Sequence, residues 1–240
     1  MEDERDIHPY CSVLAPLQHA FGANVAVHDA VQHVSDGEVA FVAGNHIAIQ
    51  QFATDRTPMR FVQRDEASPV HALGVSPSRK FLAVCERSSL EPDSQSQISV
   101  YNLQSAVRVR TLTAVEISAN HVGVAFSGDN RVLVSVTAGP DATLVYWNWE
   151  RSRVVAMAKT GAAEVNRVTI NPFDGAQICT SGPGHIKFWK LMEGGGLKGF
   201  SAVMAGKDKT STTPIVTDHT WMDKDRVVAS TNHGDVLVFD

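Results

Sequence analysis

Two glycine- and lysine-containing segments could contact phosphate groups. GGGLKG, residues 194–199, matches the G-x-G-x-x-G pattern of dinucleotide-binding loops, and AGKDKTST, residues 205–212, is similar to a P-loop. A dinucleotide site also needs a preceding parallel strand and a following helix, and no helical pattern follows 194–199. In the second segment Asp208 stands where a P-loop needs Ser or Thr for Mg²⁺. We therefore predict that both segments are solvated connections between strands.

The ten histidines could ligate a metal ion or transfer protons. No two of them have the H-x-x-x-H or H-E-x-x-H spacing of zinc sites, and the neighbours His8 and Cys11 have no second ligand pair. Adjacent residues of a strand point to opposite faces, so a sequential His–carboxylate pair is poorly arranged for acid–base work. We predict structural or surface roles for the two closest such pairs, His28-Asp29 and Asp218-His219.

A serine nucleophile is not indicated either. GVSPS, residues 74–78, departs from the G-x-S-x-G elbow at its last position, and Asp65-Glu66 has the composition of a solvated loop. The sequence therefore predicts no catalytic, cofactor-binding or metal-ligating residue, no cofactor, and no enzymatic activity.

Composition excludes several classes of partner. The chain has 240 residues, 43% apolar and 20% charged, with 26 acidic residues against 21 basic ones and a net charge of −5. Such a charge balance does not favour nucleic acid or an anionic membrane, and no apolar run approaches the roughly 18 residues of a membrane span. Cys11, Cys85 and Cys179 are few and widely spaced, which predicts a reducing, cytoplasmic environment.

The elements that would position any site are short β-rich runs bounded by turn residues. One apolar run closed by a turn recurs as 70–80, 121–131 and 165–175, and a second run that ends near an aromatic residue follows each of them. The aromatic anchors recur at the period of about 40 to 50 residues that is typical of propeller blades. They are Tyr101, Trp147, Trp189 and Phe239.

This repeat predicts an all-β fold, a WD40-type β-propeller with about five blade units. Outer strands are expected near 59–63, 107–112 and 154–159. Residues 1–24 form an amino-terminal segment whose residues 10–15 could supply a ring-closing strand. The blades within 25–240 are expected at approximately 25–63, 70–112, 121–159, 165–205 and, incompletely, 214–240.

The segment TLVYWNWE, residues 143–150, holds three of the chain's aromatic residues within four positions. As the third strand of the third blade it would be buried on both sides. Alternation predicts that Leu144, Tyr146 and Asn148 face one neighbouring blade, whereas Val145, Trp147 and Trp149 face the other.

The closing VFD at 238–240 resembles the V-W-D end of a WD40 repeat. The Gly-His dipeptide that precedes the first strand of regular WD40 blades is missing, because Gly184-His185 falls in a later turn. We therefore expect apolar packing in place of the family's buried Asp-His-Ser/Thr-Trp network.

Five longer segments carry a more specific signal: ALGVSPSRKFLAV (72–84), LVYWNWE (144–150), FWKLMEG (188–194), DHTWMDKDRVV (218–228) and GDVLVFD (234–240). With these segments the chain resembles the WD-repeat cilia- and flagella-associated proteins over about residues 8–240. That resemblance implies a non-enzymatic scaffold of the ciliary or flagellar axoneme and cytoskeleton, associated with inner-arm dynein and motility, with amino-terminal propellers followed by a coiled coil. It also implies that residues 25–240 are part of a seven-bladed ring in a longer protein.

Alternatives remain open for closure and for function. Residues 10–15 could instead close a five-bladed ring, and the chain could serve as a WD-repeat adaptor in a non-ciliary cytoplasmic complex. Both functions imply protein partners and no small-molecule substrate. A propeller hydrolase is a third class, which would need three or more His or carboxylate side chains converging at the central opening.

Overall fold

The computed structural model describes residues 19–20, 22–52, 59–64, 68–88, 94–202 and 214–240. These residues form five antiparallel sheets, each built from strands that follow one another in the chain. Four sheets have four strands and the last has three. Such a series of up-and-down sheets is the architecture of a β-propeller, so the predicted fold of about five blade units is confirmed.

Within each blade the strands follow one another from the centre of the propeller outward. Blade 1 contains β1 (Val31–Ser35), β2 (Glu38–Ala43), β3 (His46–Gln51) and β4 (Arg60–Phe61); blade 2 contains β5 (Val70–Val75), β6 (Phe81–Arg87), β7 (Ser96–Asn102) and β8 (Arg108–Thr113). Blade 3 contains β9 (His121–Phe126), β10 (Leu133–Thr137), β11 (Thr143–Asn148) and β12 (Arg153–Lys159). Blade 4 contains β13 (Arg167–Ile170), β14 (Gln177–Gly182), β15 (His185–Leu191) and β16 (Leu197–Ser201), and blade 5 contains β17 (Val216–Trp221), β18 (Val227–Thr231) and β19 (Val236–Phe239).

The turns between the first two strands of successive blades share a polar residue that stabilises them. The Ser76 hydroxyl accepts a hydrogen bond of 3.0 Å from the Phe81 amide, and the Ser127 hydroxyl accepts one of 3.0 Å from the Val132 amide. Side-chain oxygens at these positions satisfy backbone donors that a tight turn leaves unpaired. The recurring Ser-Pro and Ser-Gly pairs of the sequence therefore have a direct structural reason.

Apolar clusters fill each of the four spaces between successive blades. Strand β11 contributes to two of them: Val145, Trp147 and Trp149 pack towards blade 2, whereas Leu144 and Tyr146 pack towards blade 4. The alternation predicted for these five side chains is confirmed. Trp149 keeps its orientation although it begins a short 3-10 helix, Trp149–Arg151, that follows the strand.

Hydrogen bonds accompany this packing within two blades. The indole Nε1 of Trp147 donates to Ser135 Oγ at 2.8 Å, and the indole Nε1 of Trp189 donates to Thr180 Oγ1 at 2.9 Å. Each pair joins the third strand of a blade to its second strand, and all four residues are buried. The expectation of apolar packing alone is therefore wrong for blades 3 and 4, because an indole N–H buried without an acceptor would be costly.

Glycine is needed where inner parts of neighbouring blades approach each other most closely. A Cβ atom on Gly74 would lie 2.9 Å from the carbonyl oxygen of Val124, and one on Gly128 would lie 2.3 Å from the carbonyl oxygen of Pro172. Both obstacles are backbone atoms, which cannot move aside as a side chain can. These two glycines thus allow blades 2, 3 and 4 to converge at the centre.

The outward faces of the first and last blades are more exposed than the spaces between blades. Val31 of blade 1 is 56% exposed, and Val236 and Val238 of blade 5 are 69% and 55% exposed. Residues 10–15, the possible ring-closing strand, lie outside the described residues. Closure of the ring, with five units or with seven, stays a prediction.

Replacing Trp147 tests the central role of the aromatic strand. Trp147→Ala should lower the free energy of unfolding by about 3–5 kcal/mol, since it leaves a cavity between two blades. Trp147→Phe should cost less, about 1–2 kcal/mol, because most of the contact area remains while Ser135 loses its partner. Equilibrium urea denaturation measures both values. Phe173→Ala, at a position 67% exposed, is the control, and a similar loss there would contradict this assignment.

Candidate interaction site between the inner strands

The inner strands of the five blades surround a central cavity of about 280 Å³. Its wall combines backbone and apolar side chains of β5, β9 and β13 with polar groups at the start of several strands. Converging polar groups in an otherwise apolar concavity are typical of a binding site. The central opening is therefore a candidate binding site.

A three-member charge cluster stands at this opening. Arg167 is the first residue of β13, and its Nη1 lies 2.6 Å from Asp29 Oδ1. Its Nε lies 2.8 Å from Asp218 Oδ1, but the N–H bond does not point at that oxygen, so this contact is an ion pair without a hydrogen bond. Asp29 precedes β1 and Asp218 lies on β17, so one guanidinium connects blades 1, 4 and 5. The backbone of Asp29 has a left-handed φ of 54°, a conformation that is uncommon for residues other than glycine.

The cluster is only half buried, which limits its energetic value. The side chains of Arg167, Asp29 and Asp218 are 32%, 33% and 59% exposed. Ion pairs of this kind are screened by water and contribute about 1 kcal/mol or less. The second carboxylate leaves the cluster with a net charge of −1. The opening can therefore present a carboxylate to a partner without breaking the pair between Arg167 and Asp29.

Beside this cluster His219 takes part in a buried hydrogen-bond network. Its Nδ1 lies 2.6 Å from Ser181 Oγ and its Nε2 lies 2.8 Å from Thr169 Oγ1, which also accepts a bond of 3.0 Å from Trp221 Nε1. Burial, and to a smaller extent the charge of Arg167, lowers the pKa of His219 to about 3. A buried imidazole of that pKa is a poor general base, and Ser181 is itself fully buried. The network therefore joins blades 4 and 5 and does not form a nucleophilic site.

A second buried histidine lies between blades 2 and 3. His121 is fully buried and its ring lies 6.0 Å from that of Trp147, edge to face. Burial lowers the pKa of His121 to about 4, so the ring is neutral near pH 7. Both His121 and His219 therefore occupy buried positions in the packing between blades.

The segments with phosphate-binding patterns have ordinary structural roles where the structure describes them. Gly194 and Gly195 adopt positive φ in the turn after β15, and residues 197–199 of GGGLKG already belong to strand β16. The prediction of a turn is thus wrong for the second half of this segment. Residues 205–212 and the pair His8 and Cys11 lie outside the described residues.

The remaining candidates also have structural positions. Ser76 of GVSPS stabilises a turn, and His28 forms an isolated parallel bridge with Ala72 of β5. Burial raises the pKa of the Cys85 and Cys179 thiols, which makes them unreactive. No group of three or more His, Cys, Asp or Glu is arranged to hold a metal ion within the described ranges. The helices described there include none that is long and apolar enough to cross a membrane.

Sequence reasoning missed the charge cluster of Asp29, Arg167 and Asp218. Asp29 and Arg167 are 138 residues apart, and no motif joins them. The only usable signal is positional, because all three lie near the start of an inner strand or just before it, where the strands of a propeller converge.

No protein-family profile matches the chain. Among solved structures, the β-propeller domain of Cps50 (Swd1) from Myceliophteria thermophila superposes with a TM-score of 0.61 over 72% of this chain and 52% of that one. At 15% sequence identity this likeness concerns the fold alone. The chain is a WD40-type β-propeller.

Among curated proteins, the propeller is similar to two ciliary proteins from mouse. It is 28% identical to cilia- and flagella-associated protein 57 over 235 aligned residues. This alignment covers 95% of this chain and 18% of that protein. It is also 28% identical over 225 residues to cilia- and flagella-associated protein 44, which covers 93% of this chain and 12% of that protein. The resemblance to the WD-repeat cilia- and flagella-associated proteins is therefore confirmed. The propeller therefore spans less than a fifth of the length of these two relatives.

The buried histidines predict a loss of stability in acid. Both rings titrate near pH 6.5 when unfolded but have folded pKa values of about 4 for His121 and about 3 for His219. Their stabilisation is therefore complete above pH 6.5 and is lost as the pH falls towards 4, by up to about 1.4 kcal/mol per pH unit for each ring.

Urea denaturation at a series of pH values measures this loss. His219→Gln keeps polar groups for Ser181 and Thr169, and below pH 6 it should reduce the dependence of the unfolding free energy on pH by about one proton. His233→Gln, at an exposed position, should leave this dependence unchanged. Equal slopes in the wild type and His219→Gln would contradict a buried neutral ring.

A double-mutant cycle tests the link between blades 1 and 4. Asp29→Asn and Arg167→Gln should show a coupling of about 0.5–1 kcal/mol that weakens in 1 M salt. The exposed pair of Lys159 and Asp141, with side chains 70% and 79% exposed, is the matched control and should couple less strongly. A coupling of zero in low salt would show that the inner ends of these blades are not held together by charge.

Proposed function

We propose that this chain is a non-enzymatic protein-interaction scaffold of the ciliary or flagellar axoneme. The observation that carries the proposal is the similarity to cilia- and flagella-associated proteins 57 and 44 over nearly the whole described propeller. Cilia- and flagella-associated protein 44 from Chlamydomonas reinhardtii, 30% identical over 184 residues, supports the same assignment.

The propeller offers a rigid support with exposed connections, as a scaffold requires. The turns between the first and second strands of blades 4 and 5 place two large apolar side chains in solvent: Phe173 is 67% exposed and Met222 is 52% exposed. These turns are joined by a hydrogen bond of 2.8 Å from Asn171 Nδ2 to the Lys224 carbonyl. We name the pair Phe173 and Met222 the turn patch, and exposed aromatic and methionine side chains of this kind are typical of protein interfaces.

In the finer form of the proposal, the partners are axonemal complexes that include inner-arm dynein components, and the site of action is the cytoskeleton of the cilium. The net charge of −5 argues against purely electrostatic attachment to the acidic microtubule surface. Recognition would therefore depend on shape and apolar contact, which the turn patch can supply.

An adaptor in a non-ciliary cytoplasmic complex is the second candidate. One observation favours it: the chain is 28% identical over 144 residues to mouse echinoderm microtubule-associated protein-like 2, which covers 55% of this chain and 22% of that protein. This match covers less of the chain than the matches to mouse cilia- and flagella-associated proteins 57 and 44, so we place this function second.

Localisation and capture test the proposal together. A fluorescently tagged full-length gene product should concentrate along cilia, whereas a diffuse or nuclear signal in ciliated cells would remove the ciliary assignment. The purified chain should capture axonemal proteins, inner-arm dynein heavy chains among them, as identified by mass spectrometry. Absence of dynein from the captured proteins would remove the finer assignment only.

The turn patch gives this capture a specific variant. Phe173→Asp combined with Met222→Asp should reduce captured axonemal protein at least about tenfold, because charges replace the apolar centre of the contact. Val115→Asp is the matched control, since Val115 is 92% exposed and follows β8 at the opposite end of the sheets. Equal capture by the wild type and the double variant would show that partners dock elsewhere.

A further inference from the structure

Six exposed basic side chains lie at one end of blades 2 and 3, the end of the sheets that carries the turn patch in blades 4 and 5. They belong to the turn between β5 and β6, to the turn between β9 and β10, to strand β8, and to the short 3-10 helix with the first residue of β12. We name this set the basic ridge: Arg79, Lys80, Arg110, Arg131, Arg151 and Arg153.

Hydrogen bonds between the two blades join the parts of the basic ridge. The Ser78 amide donates to Asn130 Oδ1 at 2.9 Å, which connects the first turns of blades 2 and 3. The Trp149 indole donates to the Asn130 carbonyl at 2.7 Å, and Arg110 Nε donates to the Glu150 carbonyl at 3.0 Å. All these residues fall within the continuously described ranges 68–88 and 94–202. The six basic side chains therefore share one surface that spans two blades.

The basic ridge has an excess of positive charge. Asp129 and Glu150 are the acidic residues of the same turns. Arg131 lies 4.0 Å from Asp129, and Arg79 lies 3.2 Å from Asp36 of blade 1, but both pairs are exposed and screened by water. None of the described carboxylates pairs with the other four members of the ridge. In a chain with 26 acidic and 21 basic residues, this is a local reversal of sign.

The backbone at this end of blades 2 and 3 is unusual as well. Glycine has a left-handed φ in the turn between β1 and β2, where Gly37 is at 82°, and in the turn between β15 and β16, where Gly195 is at 87°. In the corresponding turns of blades 2 and 3, residues with side chains have a left-handed φ: Arg79 at 56°, Ala106 at 56°, Asn130 at 62° and Ser152 at 48°. Glycine would fit the backbone at Arg79 with less strain, so the arginine side chain there indicates a role outside the turn.

We propose that the basic ridge binds an acidic, extended peptide segment of a partner protein, with Arg151 and Arg153 contacting its carboxylates. The planar guanidinium group of arginine matches a carboxylate through two parallel hydrogen bonds. Both arginines are exposed, and Ser152 between them ends the 3-10 helix in the left-handed conformation, so the turn presents them to solvent.

Charge favours a short peptide over a larger polyanion. Outside the basic ridge, acidic side chains outnumber basic ones even more than in the chain as a whole. A short segment can lie along the ridge while the acidic remainder is screened beyond about 10 Å. A nucleic acid or an anionic membrane would extend past the ridge and meet that acidic remainder.

This inference goes beyond the scaffold assignment, and the two can fail separately. The turn patch is apolar and belongs to blades 4 and 5, whereas the basic ridge is charged and belongs to blades 2 and 3. Peptide binding by the ridge is measured with purified components and does not require axonemal proteins.

Fluorescence anisotropy with labelled peptides tests the proposal on the intact chain. A peptide of about ten glutamates should bind at about 50 mM salt and be released at about 300 mM, because screening weakens exposed charge contacts. A glutamine peptide of the same length should not bind. Absence of binding by the glutamate peptide at low salt would overturn the proposal. Tighter binding of a single-stranded oligonucleotide, or of vesicles that contain phosphatidylserine, would overturn the assignment to a peptide.

A double variant locates the contact on the ridge. Arg151→Gln combined with Arg153→Gln should weaken binding of the glutamate peptide about tenfold, since two exposed charge contacts are lost. Lys190→Gln combined with Lys198→Gln is the matched control, because it removes the same charge from exposed, paired positions of β15 and β16. Its affinity should change less than about twofold. Equal losses in the two double variants would show a general effect of charge and contradict the site.

Arg79→Gly separates binding from folding. Glycine fits the left-handed backbone, so the melting temperature should stay unchanged or rise, whereas affinity for the glutamate peptide should fall about threefold. A lower melting temperature with unchanged affinity would show that Arg79 serves the turn and not a ligand.

Discussion

The structure depends on one constraint: each blade is a sheet with two apolar faces, and neither face is stable in water alone. Four apolar clusters meet this requirement between successive blades, and the middle strands contribute side chains to the clusters on both sides. Aromatic residues are concentrated in β11 because a flat ring covers much area across such a space. Stability is therefore a property of neighbouring blades together, and no blade is expected to fold alone.

Polar interactions specify how this stack is arranged. Indole hydrogen bonds fix the side chains of Trp147 and Trp189 against the second strand of their own blades, and His219 joins blade 4 to blade 5. Such bonds add little net energy, but alternatives that leave these groups unpaired are costly. Because this packing is confined to the spaces between blades, the exposed turns and the central opening can differ in charge and shape. This separation of support from recognition is what a scaffold requires.

The fold was predictable because repetition multiplies weak local signals. A single run such as residues 98–103 could be a strand in many folds. Similar runs recur around Trp147 and Trp189, and this recurrence indicates the strand order of a blade. Because side chains alternate between the two faces of a strand, the sequence then also predicted which neighbouring blade each apolar side chain of β11 faces. The candidate site was less predictable, because Arg167 and Asp29 share no motif.

The sequence by itself determined the all-β class, the repeat and the likeness to ciliary WD-repeat proteins, because these depend on local alternation and on residues close together in the chain. Only the tertiary structure decided which charges meet and where the surface is apolar. Arg167 meets Asp29 across 138 residues because the inner strands converge on one axis. Such contacts follow from the geometry of assembly, which no local pattern of residues records.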